Sequence, residues 1–222
     1  MSRVPAFVLA LLLAVSAFAA PKKIEVPRGA KTPNVDGDVN AAEWAKAARV
    51  YLGTGGHVLL QHNGTYLFVA FVGKRPGIGS VCTAAKDGRL RVLHASAALG
   101  TAEWTKQNAK WTLARGFTWT NRDTGKSAAA MAERKQFLGA EGWFANTHPA
   151  GQQQREYQIR IDGRKEIPIV LAFMSWVKPE QFDLNAWPDD VYDGCAELDL
   201  ASGSTEAAYT FEPETWGVAV LQ

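Results

Sequence analysis

The chain has 222 residues, a net charge of +2 and 47% hydrophobic content, enough for one domain with a sizeable core. The charge is small and no basic run occurs, which removes the electrostatic reason to expect a nucleic-acid partner. Met1 to Ala19 reads as an export signal: Arg3 supplies the positive end, Val8 to Val15 the apolar run, and Ala17-Phe18-Ala19 a small-x-small cleavage site. The expected mature chain carries no lipid-anchor cysteine near the cut and no later apolar run long enough to span a bilayer. Export to the periplasm or beyond, without a transmembrane anchor, is therefore expected.

After a first strand at Lys23 to Val26, the stretch from Pro33 to Ala47 is locally legible. Asp36-Gly37 marks a tight turn. Asn40 reads as a helix N-cap with Glu43 at the capping-box position, and Val39 and Trp44 occupy the places a hydrophobic staple joins. A short helix pressing the Trp44 indole onto a sheet is expected. Arg49 to Leu52 is a strand closed by Gly53-Thr54-Gly55-Gly56. Val58 to His62 and Thr65 to Val72 flank Asn63-Gly64, the favoured two-residue hairpin turn. That register puts Val58, Leu60, Leu67, Val69 and Phe71 on a core face. Leu59, Gln61, Tyr66 and Phe68 fall on the other, partly covered face. Asn63-Gly64-Thr65 also spells a glycosylation acceptor.

Further strands are expected at Arg89 to His94, Lys110 to Thr120 (one strand or a hairpin), Glu156 to Ile161, Ile167 to Trp176, Cys195 to Leu200 and Trp216 to Leu221. Ala95 to Gly100 reads as a turn, and Asn121 to Gly125 and Pro179 to Tyr192 as loops. Ser127 to Leu138, rich in Ala, Glu and Lys and ending at Gly139, is the one longer helix. Cys82 and Cys195 are the only cysteines, and in an exported chain they favour a single disulfide. Two free thiols or half of a metal site are the alternatives.

The Asp-Gly, short gap, Glu-Trp and Ala of the Pro33 to Ala47 stretch resemble the entry segment of the family-nine carbohydrate-binding modules and their DOMON-like relatives. Pro213-Glu214-Thr215-Trp216-Gly217 and Glu166-Ile167-Pro168 resemble two further landmarks of that superfamily. The resemblance implies an all-β, antiparallel β-sandwich of jelly-roll type with a short N-terminal helical turn and one appended helix. It also implies non-catalytic carbohydrate binding. It makes calcium plausible on Asp189, Asp190 and Asp193, although a solvated acidic loop is the favoured reading because no full calcium loop appears.

Catalytic patterns are sparse. His57 and His62 point to opposite faces of one strand and cannot share a metal unless a bulge intervenes. His94 and Ser96 lack an identifiable orienting acid, and Glu197 and Asp199 share only a strand face. Gly-x-Ser-x-Gly and His-Glu-x-x-His are absent, so an enzyme is not expected. Some DOMON-like relatives bind heme through Met and His. Met131, Met174, His57, His62, His94 and His148 are the candidates here, and Cys-x-x-Cys-His is absent. No resident cofactor is expected, with heme as the alternative. The chain is rich in tryptophan, and a flat indole suits the apolar face of a pyranose. Trp119 with Asn121 and Arg122, Trp143 with Asn146 and His148, and Trp187 with Asn185 and Asp189 are the candidate binding groups. A saccharide or other extracytoplasmic ligand is the expected partner. The rival role is an envelope interaction protein that uses the sandwich only as scaffold.

Overall fold

The computed structural model describes residues 20–121, 127–147, 152–205 and 208–222. Thirteen strands and two α-helices follow in chain order: β1 (Lys23–Val26), β2 (Ala48–Leu52), β3 (Gly56–His62), β4 (Tyr66–Gly73), β5 (Gly77–Ala84), β6 (Leu90–Ala95), β7 (Ala98–Gln107), β8 (Lys110–Asn121), α1 (Ala128–Glu141), β9 (Trp143–Thr147), β10 (Gln154–Arg160), β11 (Glu166–Lys178), β12 (Gln181–Trp187), α2 (Leu198–Ser202) and β13 (Gly217–Leu221). They form two sheets, one ordered β1-β13-β11-β5-β6-β7-β8 with β12 also paired to β11, and the other β2-β3-β4-β10-β9. The all-β sandwich expected from the sequence is the fold observed. All strand pairs are antiparallel except β1 with β13. Neither helix is long and apolar enough to cross a membrane.

The β3–β4 hairpin pairs as its Asn-Gly turn dictates, with Val58 opposite Phe71 and Leu60 opposite Val69. Val58, Leu60, Leu67, Val69 and Phe71 are fully buried. From the other sheet come Val81, Leu93, Leu171 and Phe173, and the Phe71 and Phe173 rings stack 5.9 Å apart. β11 is the hub of the larger sheet. One edge pairs with β5, while the other takes β13 and then β12. Its near-continuous apolar run suits a strand buried on both faces.

Each sheet is also covered on its outer face by an irregular segment, and a buried carboxylate fastens each cover. On the smaller sheet, Glu156 of β10 is wholly buried. It accepts the Trp44 Nε1–H at 2.9 Å on one oxygen and the Asp36 and Gly37 amides at 3.1 and 2.9 Å on the other. Trp44 thus lies on the sheet as expected, but the helix does not form. Asn40 caps a single turn, its Oδ1 accepting the Ala42 amide at 2.9 Å and its O the Glu43 and Trp44 amides at 3.0 and 3.2 Å, while Glu43 accepts from the Asn34 amide and leaves the capping box unclosed. Burial pushes the Glu156 carboxyl up to about 7, outweighing the three N–H donors that favour its charge, and nearby Asp36 adds to the rise.

On the larger sheet the segment between β12 and β13 forms the cover. Cys195–Leu200, expected as a strand, is instead a 3₁₀ turn at Gly194–Ala196 followed by α2. The carboxylate of Asp193 redirects the chain there: it accepts from Cys195 N and Glu212 N at 2.9 Å each and from Trp216 Nε1 at 2.6 Å. The Cys82–Cys195 disulfide ties the same turn to β5, joining residues 113 apart. Val191, Leu200, Tyr209, Phe211 and Trp216 then pack on Leu90, Val92, Trp104 and Val170 of the sheet.

Four strands lack a clear signal in the sequence. β5 is glycine-rich, and β7 opens on Ala98 to Gly100, which fall in the stretch expected as a turn. β9 is short, and β12 falls within an expected loop. Each is a strand because it has a paired neighbour, a fact of tertiary structure.

Folding raises the pKa of Glu156, so the folded protein holds that proton more tightly than the unfolded chain. Its contribution is complete below pH 4.5, the ordinary value, and is lost as pH rises through about 7. The difference in urea-unfolding free energy between wild type and Glu156→Gln is expected to change by ~3 kcal/mol across that window and to stay flat above it. A difference that is constant with pH contradicts the assignment. Asp193→Ala, which strands three buried donors, is expected to cost at least ~3 kcal/mol in the same measurement.

Candidate functional site

α1 begins at Ser127, whose Oγ accepts the Ala130 amide at 3.1 Å, and ends at Gly142 in the left-handed region (φ 71), whose N–H bonds Leu138 O. It runs one turn past the expected end at Gly139. Only Ala130 is fully buried on it, with Phe137 and Leu138 partly so, while Met131 stands 61% exposed. The helix therefore leans on the sandwich by a narrow stripe. Phe137 meets Trp143 of β9 edge-on at 5.5 Å, and the Arg134 guanidinium lies 5.7 Å over the Phe144 ring.

This lean opens a cleft of about 390 Å³ between α1 and the ends of β7 and β8. Leu99, Phe137 and Phe144 give it an apolar floor; Thr120, Asn121, Glu133, Arg134 and Gln136 give it a polar rim. At its inner end stands Glu141. Arg115 grips that carboxylate with two N–H groups at 3.1 and 2.8 Å, and Thr101 Oγ1 donates at 2.8 Å while accepting the Trp143 indole N–H at 2.8 Å. Arg115 also meets Glu103, which pairs in turn with Arg89 and Arg91. Simple alternation along β8 would place Arg115 on the same face as Phe117 and Trp119. Two register shifts against β7 turn it to the opposite face, beside Glu103. Against the upward push of burial, hydrogen bonds from Arg115 and Thr101 hold Glu141 below the usual carboxylate range. A carboxylate so saturated is suited to bracing the cleft and not to proton transfer.

The tryptophans expected to bind ligand are placed differently from one another. Trp119 is 45% exposed on the outer face of β8. Phe117 stacks on it at 4.9 Å and His94 meets it edge-on at 5.2 Å. A Cβ on Gly100 or Gly203 would come within 2.6 Å of its ring, so glycine is required at both positions for the indole to lie flat. Trp143 was expected at a loop; it is a fully buried β9 residue stacked on Tyr157 and cannot touch a ligand. Its polar neighbour Asn146 is likewise wholly buried. Trp187 is half-buried over Gly217, and Asn185 lies against the Gly53–Gly55 turn, so both plug the sandwich edge. Arg122 and His148 lie outside the described residues.

The acidic candidates likewise separate. Asp193 spends its oxygens on N–H donors, the opposite of a calcium ligand's task, and Asp189 and Asp190 pair with Lys22. Among the described residues no cluster of three or more His, Cys, Asp or Glu side chains is placed to hold a metal. His94 bonds Ser80 at 3.1 Å, while Ser96 serves its own turn at Ala98. Met174 is buried in β11, and His57 and His62 occupy opposite faces of β3.

Residues of the cleft that sequence reasoning missed are Leu99, Glu133, Gln136 and Phe144. The helix was visible in the sequence. The opposing wall was not, because Leu99 fell in a stretch read as a turn. No known protein-family model, curated protein or solved structure matches this chain.

Proposed function

We propose that the protein is a non-catalytic binding module that recognises a saccharide or similarly polar ligand outside the cytoplasm, in the cleft between α1 and the β7–β8 edge. The observation that carries this reading is the composition of the cleft: an apolar floor containing Phe137 and Phe144 beneath a rim of hydrogen-bonding side chains. An aromatic ring suits the C–H face of a sugar ring, and amide, guanidinium and carboxylate groups suit its hydroxyls. Trp119, half-exposed on the other side of the same strand end, offers a second flat surface. Release into an oxidising compartment accords with the export-signal pattern and with the disulfide. Among the described residues no nucleophile with a base and no free carboxylate pair lines the cleft, which favours binding over turnover.

A glycan array probed with the full exported chain, followed by calorimetry on the hits, tests the proposal. Gln136→Ala, on the rim, and Phe137→Ala, on the floor, are each expected to weaken binding by about tenfold or more. Trp119→Ala is expected to spare a ligand held in the cleft alone. Silence across the array, or hits unaffected by both cleft substitutions, defeats the proposal.

A further inference from the structure

A second, smaller cavity of about 110 Å³ lies where the ends of β5 and β10 meet the C-terminus of α1. Its lining holds three guanidinium groups, Arg91, Arg160 and Arg164, against two carboxylates, Glu141 and Asp162. Arg91 pairs with Glu103 at 3.3 Å and Glu141 is held by Arg115 and Thr101, so the charge left at the cavity is that of Arg160 and Arg164 against the solvent-exposed Asp162, and it is positive. The arginines are fixed in place by backbone carbonyls. Arg91 donates to Glu141 O at 2.7 Å, and Arg160 to Leu138 O and Gly139 O at 3.1 and 3.3 Å. Arg164 donates to Ile161 O at 3.1 Å and to Ala84 O.

Arg160 and Arg164 form no ion pair with a carboxylate among the described residues. Each has N–H donors beyond those the carbonyls use, since a guanidinium carries five. From this geometry we propose that the cavity is a binding site for a tetrahedral oxyanion, the sulfate or phosphate group. The volume admits a group of that size, and planar guanidinium forks match its oxygens. Burial pulls Arg91 and Arg164 below their ordinary values, and Asp162 offsets that for Arg164 only in part. An anion in the cavity relieves that cost for both. The site shares only Glu141 with the larger cleft and does not depend on the saccharide reading.

Calorimetry on the full exported chain, with sodium sulfate and sodium phosphate against sodium chloride at matched ionic strength, tests the site. Saturable binding of sulfate or phosphate is expected, and Arg164→Gln is expected to weaken it by about tenfold. Asp162→Asn removes the negative charge at the mouth and is expected to tighten binding by about threefold. Asn accepts the positive φ of 49 at that position, so this variant tests the site even if Arg164→Gln fails to fold. Glucose 6-phosphate separates the sources: binding comparable to phosphate assigns the group of an ester, and failure to bind assigns the free ion. No saturable binding of either inorganic anion, unchanged affinity in folded Arg164→Gln, or no tightening in Asp162→Asn overturns the proposal.

Discussion

A buried carboxylate accepting an indole N–H is the interaction on which this structure depends, and it occurs once on each sheet. Glu156 holds Trp44 at 2.9 Å and Asp193 holds Trp216 at 2.6 Å. In both cases the same carboxylate also takes two backbone amides of the segment that carries the tryptophan or leads to it. Irregular backbone laid over a sheet has unpaired N–H groups, and burying them without acceptors would cost more than the apolar contact returns. One acidic side chain that satisfies three such donors lets a turn-rich segment replace a third layer of secondary structure. The two clamps differ in setting. Glu156 is pushed toward neutrality by burial, whereas Asp193 works beside a disulfide that independently pins the same turn.

The two covers leave part of each outer face open: Trp119 stands 45% exposed on the larger sheet, and a hollow lined by Trp44, His57, Leu59 and Val72 remains on the smaller one. The cleft proposed to take the ligand lies at the β7–β8 end of the larger sheet. There β7 and β8 project, and α1 closes back against β9 without filling the gap. The Arg89–Glu103–Arg91–Glu141–Arg115 network sits at the root of that gap. Partly buried ions of both signs are tolerated there because each is matched by several partners of the other sign. The network braces the helix end from which both the larger cleft and the small arginine-lined cavity depart.

The β8 edge shows how a local irregularity sets a site. A regular twelve-residue strand would carry Arg115 on the face of Phe117 and Trp119; the register shifts against β7 separate them. One face then builds the ionic brace, and the other lays Trp119 over Gly100 and against Gly203. An edge strand interrupted in this way also pairs less readily with another chain.

The sequence by itself determined what is encoded over short distances. The β3–β4 hairpin follows from Asn63-Gly64 and the alternation around it. The helix after Ser127 follows from its cap and composition, and the disulfide from the presence of only two cysteines. Local chemistry also committed Trp44 to the interior. Tertiary structure alone decided the rest, because those outcomes depend on neighbours distant in the chain. β5, β7, β9 and β12 are strands by virtue of their pairing, and Cys195–Leu200 is not one, its turn being set by Asp193 and by the disulfide to β5. Trp143, Trp187 and Trp119 look alike in sequence, each a tryptophan beside polar residues, yet one is buried, one half-buried and one exposed. Exposure is a property of the packed assembly, and no window of sequence contains the neighbours that set it.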